Sequence, residues 1–118
     1  MTADANTKVL TATIANAASL SGEIDLEGFK LMALLMPGAW TAAALTFQAS
    51  DVAGGTFLDV YDDAGTEVTA TVAASRAIGL DAILPELAAI RFLKIRSGTT
   101  GTPVNQAAAR TLTLVLKA

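Results

Sequence analysis

Residues 111–117 read Thr-Leu-Thr-Leu-Val-Leu-Lys, and the reading of this run decides the fold class. Leu112, Leu114 and Leu116 alternate with Thr111, Thr113 and Lys117. Successive side chains of an extended chain point to opposite faces, so the leucines line one face and the polar residues the other. The same period of two recurs upstream. Leu10, Ala12 and Ile14 alternate with Val9, Thr11 and Thr13, and Ile24 and Leu26 with Glu23, Asp25 and Glu27. Leu45, Phe47 and Ala49 alternate with Thr46, Gln48 and Ser50, and Val68, Ala70 and Val72 with Glu67, Thr69 and Thr71. One buried and one wet face per strand is the pattern of antiparallel sheets.

Turn signals divide these runs at Ser21-Gly22, Pro37-Gly38, Gly54-Gly55, Asp62-Asp63-Ala64-Gly65 and Gly98-Thr99-Thr100-Gly101. Their spacing is that of a sandwich or jelly roll. The expected fold is all-β, a single antiparallel, jelly-roll-like β-sandwich of about seven to eight strands. At most one short helical turn is expected, at Pro85-Glu86-Leu87-Ala88-Ala89, where proline suits a first turn. The expected core comprises Leu10, Ile14, Ile24, Leu26, Leu45, Phe47, Leu58, Val60, Val68, Val72, Leu93, Ile95, Leu112, Leu114 and Leu116.

At 118 residues the chain suffices for one domain and not two, burying about 65% of its unfolded surface. Residues 1–8 are expected to form an N-terminal arm and residues 9–118 the sandwich. The composition is 53% hydrophobic and only 16% charged, with mean hydropathy +0.51, which argues against global disorder. A net charge of −3 argues against a nucleic-acid partner. The chain has no His and no Cys, which removes disulfides, thiolate and Ser-His catalysis and nearly all zinc chemistry. No catalytic activity and no cofactor are expected, since the remaining bases are carboxylates and lysines without a convergent set. Met1–Lys8 shows no secretory signal. Leu31–Ser50 carries no charge, but Pro37-Gly38 breaks it and polar residues alternate after the break, so strands rather than a membrane span are expected.

Two segments are apolar on both faces. In Phe29–Met36, residues Phe29, Leu31, Ala33 and Leu35 oppose Met32, Leu34 and Met36. In Ile90–Ile95, Leu93 and Ile95 oppose Ile90 and Phe92. Such a strand is either covered by loops of its own chain, with Thr99–Ala109 the candidate cover for Met32, or held for a partner. The basic group Arg91, Lys94 and Arg96 reads as an ion-pairing surface or as charge protecting a sheet edge, with Lys94 and Arg96 on one face and Arg91 on the other. Asp59, Asp62, Asp63 and Glu67 surround one hairpin. They do not match the spacing of a calcium loop, and a solubilising turn with Gly65 at positive φ is the expected role. Trp40 is expected to plug the core with its N–H on a carbonyl, the alternative being a platform for a sugar ring. The candidate interface residues are therefore Thr2, Asp4, Asn6, Lys8, Met32, Leu34, Met36, Lys94 and Arg96.

The series Trp40–Asp51, then Phe57 and Tyr61-Asp62-Asp63-Ala64-Gly65, with Ile90–Gly98 and Arg110–Leu114, resembles the small β-sandwich proteins encoded among the virion genes of tailed bacteriophages. The resemblance runs from about residue 10 to the C-terminus. Its implication is a head decoration (cement) protein that binds the major capsid protein lattice from outside, non-covalently and as a homotrimer. Such a protein is made in the host cytoplasm and ends on the virion surface, with no nucleic-acid or membrane partner. A fainter resemblance to discoidin-type jelly rolls implies a carbohydrate-binding or adhesin module of a phage fibre. A tail or connector component is the third reading.

Overall fold

The terminal Leu/Thr run forms β8 (Arg110–Lys117), and its burial alternates as read, with Leu112, Leu114 and Leu116 fully buried. In the computed structural model, which describes residues 6–118, the other strands are β1 (Thr7–Ile14), β2 (Ile24–Asp25), β3 (Lys30–Leu35), β4 (Leu45–Ser50), β5 (Leu58–Asp59), β6 (Ala77–Gly79) and β7 (Phe92–Ser97). One sheet has the order β1-β8-β3-β6 and the other β2-β7-β4-β5, with every pairing antiparallel. Consecutive strands alternate between the sheets except for β4 and β5, which are neighbours in one sheet, giving the jelly-roll order of two interleaved Greek keys. The sandwich read from the sequence is thus the observed fold. A 3-10 turn at Asp81–Ile83 leads into α1 (Leu84–Leu87), with Pro85 in its first turn and Leu87 buried. Leu31–Ser50 folds as β3, a loop and β4, and no helix among the described residues is long and apolar enough to cross a membrane.

The core lies between the sheets. Ile14, Leu26, Leu31, Leu34, Leu45, Phe47, Leu93 and Ile95 are completely enclosed there, and Leu10, Trp40, Val60 and Val72 pack at its margin. Leu58 is a correction, because it is 69% exposed on the short edge strand β5, beyond the reach of the opposite sheet. Residues 67–72 do not form a regular strand. They make single bridges, Glu67 to Tyr61 and Ala70 to Leu45, as the chain passes the sheet edge, yet Val68 and Ala70 are buried as their alternation requires.

β3 explains its own two-faced composition. Its register against β8 slips between Leu31 and Ala33, placing one extra residue in the strand. A bulge of this kind inverts the alternation beyond it. Leu31 before the slip and Leu34 and Met36 after it therefore all face the core, at 0%, 0% and 7% exposure. Met32 is half-buried at the bulge, and its carbonyl accepts a hydrogen bond from the Leu80 N–H, 2.9 Å. The Thr99–Ala109 loop covers other residues. It crosses from β7 to β8 and docks against Thr41, Ala17 and Ala18. Its first turn needs Gly98, whose φ is +90° and where a Cβ would sit 2.5 Å from the Thr102 carbonyl oxygen.

Candidate functional site

The outer face of the β2-β7-β4-β5 sheet gathers most of the charged residues singled out in the sequence. β7 is an interior strand between β2 and β4, so its cations protect no edge. Arg96 projects from β7 onto this face yet is only 7% exposed. Its Nη2 donates to Asp59 Oδ1 on β5 at 2.6 Å, and its Nη1 to Thr100 Oγ1 at 2.8 Å. Nη1 also reaches Thr46 Oγ1 and Glu67 Oε2, each at 3.3 Å. Around it the partners bond one another. Thr46 Oγ1 donates to the Gly98 carbonyl, Gln48 Nε2 to Asp59 Oδ1, and the Thr100 hydroxyl and N–H to the Glu67 carboxylate. Thr46, expected on a wet face, is fully buried beneath this network.

Electrostatically the cluster is closed. The Arg96 guanidinium hydrogen-bonded to Asp59 holds that carboxyl below its ordinary value, outweighing the opposing effect of burial. The expectation of an acidic partner for Arg96 is corrected, because Asp59 and Glu67 of the same chain already supply the anions. Lys94 is half-buried, with its ammonium 4.5 Å from the Phe57 ring centroid. Asp62 and Asp63 belong to the turn. Asp62 Oδ1 accepts from the Ala64 and Thr66 N–H groups at 2.9 Å each, and Gly65 takes φ +86°, as the turn reading requires.

On the opposite flank Arg91 forms a two-pronged pair with Asp25 while lying over the Phe92 ring. The Arg91 guanidinium, and then the Glu27 N–H, lower the Asp25 carboxyl below its usual range, and Asp25 in turn raises Arg91. Beside Arg91 opens a groove of about 480 Å³ lined by Ala49, Thr56, Leu58, Ala89 and Ile90, with Asp51 at its rim. Its walls are largely aliphatic. Trp40 faces elsewhere, half-buried against the core, its Nε1–H donating to the Ala43 carbonyl at 3.1 Å.

The remaining candidate interface residues scatter. Leu34 and Met36 belong to the core and are corrected as docking residues, because the β3 bulge turns them inward. Lys8 lies in β1, not in an arm, and is ion-paired to Glu27 Oε1 at 2.7 Å. Asn6 is exposed and its carbonyl accepts from the Ala118 N–H. Thr2 and Asp4 lie outside the described residues.

Sequence reasoning missed Gln106. It is 1% exposed, and its amide donates to Ser97 Oγ (2.7 Å) and the Thr41 carbonyl (3.0 Å) while accepting from the Thr41 N–H (2.8 Å) and Arg110 Nε (3.1 Å). No periodicity surrounds it. The only available signal was a long-armed amide within an alanine-rich loop.

The fold is similar to that of the SPBc2 prophage-derived protein YomS. The likeness to its crystal structure covers 100% of both chains with a TM-score of 0.54 and 14% sequence identity, so the two share a fold. No protein-family model and no curated protein sequence matches the chain.

Proposed function

We propose that this chain is a phage protein, and specifically a structural virion protein that decorates and stabilises the capsid exterior by non-covalent binding to the major capsid protein. The observation that carries the reading is the end-to-end likeness in fold to YomS, a prophage-derived protein, with neither chain leaving a domain uncovered. The internal use of Arg96, Asp59 and Glu67 agrees with it, because the most buried charges hold strands and turns together. A decoration protein needs a rigid body and several weak contacts repeated over a lattice, and avidity supplies the rest without a deep pocket.

The experiment is to induce or propagate the phage whose genome encodes the chain, purify full particles on a density gradient and locate the protein by mass spectrometry and electron microscopy. The expected result is a protein in stoichiometric amount with density on the outer capsid at symmetry axes. Its absence from particles, or density confined to the tail or connector, overturns the reading. The carbohydrate-binding alternative predicts instead retention on a glycan surface.

A further inference from the structure

We infer that the groove beside Arg91 is a docking site for a lysine side chain presented by a partner protein. The groove exists because one corner of the sandwich is left unfilled. Ala49 on β4 and Leu58 on β5 are register partners, so both project to the side of the sheet on which Leu45 and Phe47 build the core. Ala49 is small and half-buried, and the opposite sheet stops short of Leu58, which stays 69% exposed. Ala89 and Ile90, between α1 and β7, supply the facing wall. The resulting space of about 480 Å³ falls in the range of small-ligand sites, about 300–1,000 Å³.

The charge at its mouth is of one sign. Asp51 is exposed, and its side chain has no ion pair and no hydrogen bond among the described residues. Glu23 accepts from the Gly54 N–H of the same loop at 2.8 Å and likewise lacks a cation. Arg91 is the one cation lining the groove, and Asp25 neutralises it through both prongs of the guanidinium. Lys94 is turned to the other face of the sheet, over the Phe57 ring. The mouth therefore attracts a cation. The loop also holds Asp51 in place before anything binds. Ser50 Oγ donates to the Val52 carbonyl at 2.8 Å and accepts from the Val52 N–H at 3.2 Å, and the Gly55 N–H donates to the same carbonyl at 3.1 Å.

Aliphatic walls with a carboxylate at the rim call for an aliphatic body with a cation at its tip. Lysine carries a compact ammonium on a flexible four-carbon stem. The stem lies along Ala49, Leu58 and Ile90 while the ammonium stays in water beside Asp51. Arginine is the poorer occupant, because its advantage lies in stacking on aromatic faces and in buried forks. No aromatic residue lines the groove, and Asp51 is exposed. Val52 and Leu58, 55% and 69% exposed, offer apolar contact to the residues flanking that lysine on the partner.

The probe is the capped peptide acetyl-Ala-Leu-Lys-Leu-Ala-amide, titrated to about 10 mM into the isotope-labelled full chain at about 20 mM salt, where exposed charges are weakly screened. The amide resonances of Ala49, Asp51, Leu58 and Ile90 are expected to shift together and saturate. Norleucine in place of the peptide's lysine keeps the stem and removes the charge. It is expected to weaken binding about two- to fivefold, the range of an exposed charge pair. Asp51→Asn removes no contact within the described chain, so the fold is kept, and the two peptides are expected to bind this variant alike. Leu58→Ser, at an exposed site, is expected to weaken both peptides. A glutamate peptide tests the competing occupant, an anion on Arg91, and is expected not to bind. No saturating shift at the groove, norleucine binding as well as lysine, a lysine preference that survives Asp51→Asn, unchanged binding to Leu58→Ser, or binding of the glutamate peptide overturns the inference.

Discussion

Replacing Arg96 by methionine keeps the aliphatic bulk of the side chain and removes its charge from beneath the surface. The guanidinium touches Asp59 at 2.6 Å, Thr100 at 2.8 Å, and Thr46 and Glu67 at 3.3 Å, and without it two carboxylates share one poorly hydrated site. Removing one partner of a buried ion pair costs about 3–5 kcal/mol. The side chains of Asp59 and Glu67 retain 27% and 15% exposure, so the lower end, about 3 kcal/mol, applies. For a chain of this size that is a fall in Tm of roughly 10–15 °C. Urea unfolding followed by the fluorescence of Trp40, the one tryptophan, measures it directly.

The pH dependence has a definite sign. In the native protein Asp59 titrates below its unfolded value, so its contribution is complete above about pH 4 and is lost as pH falls through the lowered value. In the variant the Arg96 hydrogen bond, the largest lowering influence, is gone and burial is opposed only by the Gln48 and Thr100 hydrogen bonds, so the carboxyl titrates higher than in the native protein and its protonation costs the variant less stability. The gap between the two proteins is expected to narrow from pH 7 to pH 4.5. A difference below about 1 kcal/mol at pH 7, the range of an exposed surface pair, or one equal at both pH values refutes the reasoning.

Leu34→Ala, at a fully buried site, is expected to lose about 3 kcal/mol in urea unfolding, and Leu34→Glu to yield no folded protein by circular dichroism. Gln106→Leu strands the Thr41 backbone groups and Ser97 Oγ, and a loss of about 2–3 kcal/mol is expected from the same titration. Arg91→Ala breaks an exposed pair and is expected to leave Tm essentially unchanged at physiological salt, in contrast to Arg96.

The sandwich was legible because its rule is local. Leu112, Leu114 and Leu116, or Ile24 and Leu26, declare a face without reference to any other strand. The site was not legible because its rule is relational. Arg96 reads as an exposed cation until β5 and the 98–101 turn are known to fold over it, and nothing near residue 96 in sequence names Asp59 or Glu67. Period-two reading failed in β3 for a similar reason. One extra residue between Leu31 and Ala33 inverts the pattern, and only the partner strand β8 reveals the slip. Leu58 misled because alternation reports direction and not whether a second sheet extends far enough to cover it.

The pairing of β1 with β8 ties residues 7–14 to residues 110–117. While the chain is being made, Leu10, Ala12 and Ile14 therefore wait through roughly a hundred residues of synthesis for the strand that finally covers them. The last strand also supplies the centre of its sheet, since β8 separates β1 from β3. The sheet cannot assemble in halves and must close in a late, long-range step. Topologies of this kind fold slowly, in roughly milliseconds to seconds. During that interval β1 lacks the strand it pairs with, so a cell producing the protein faces its greatest aggregation hazard before the eight-residue β8 arrives.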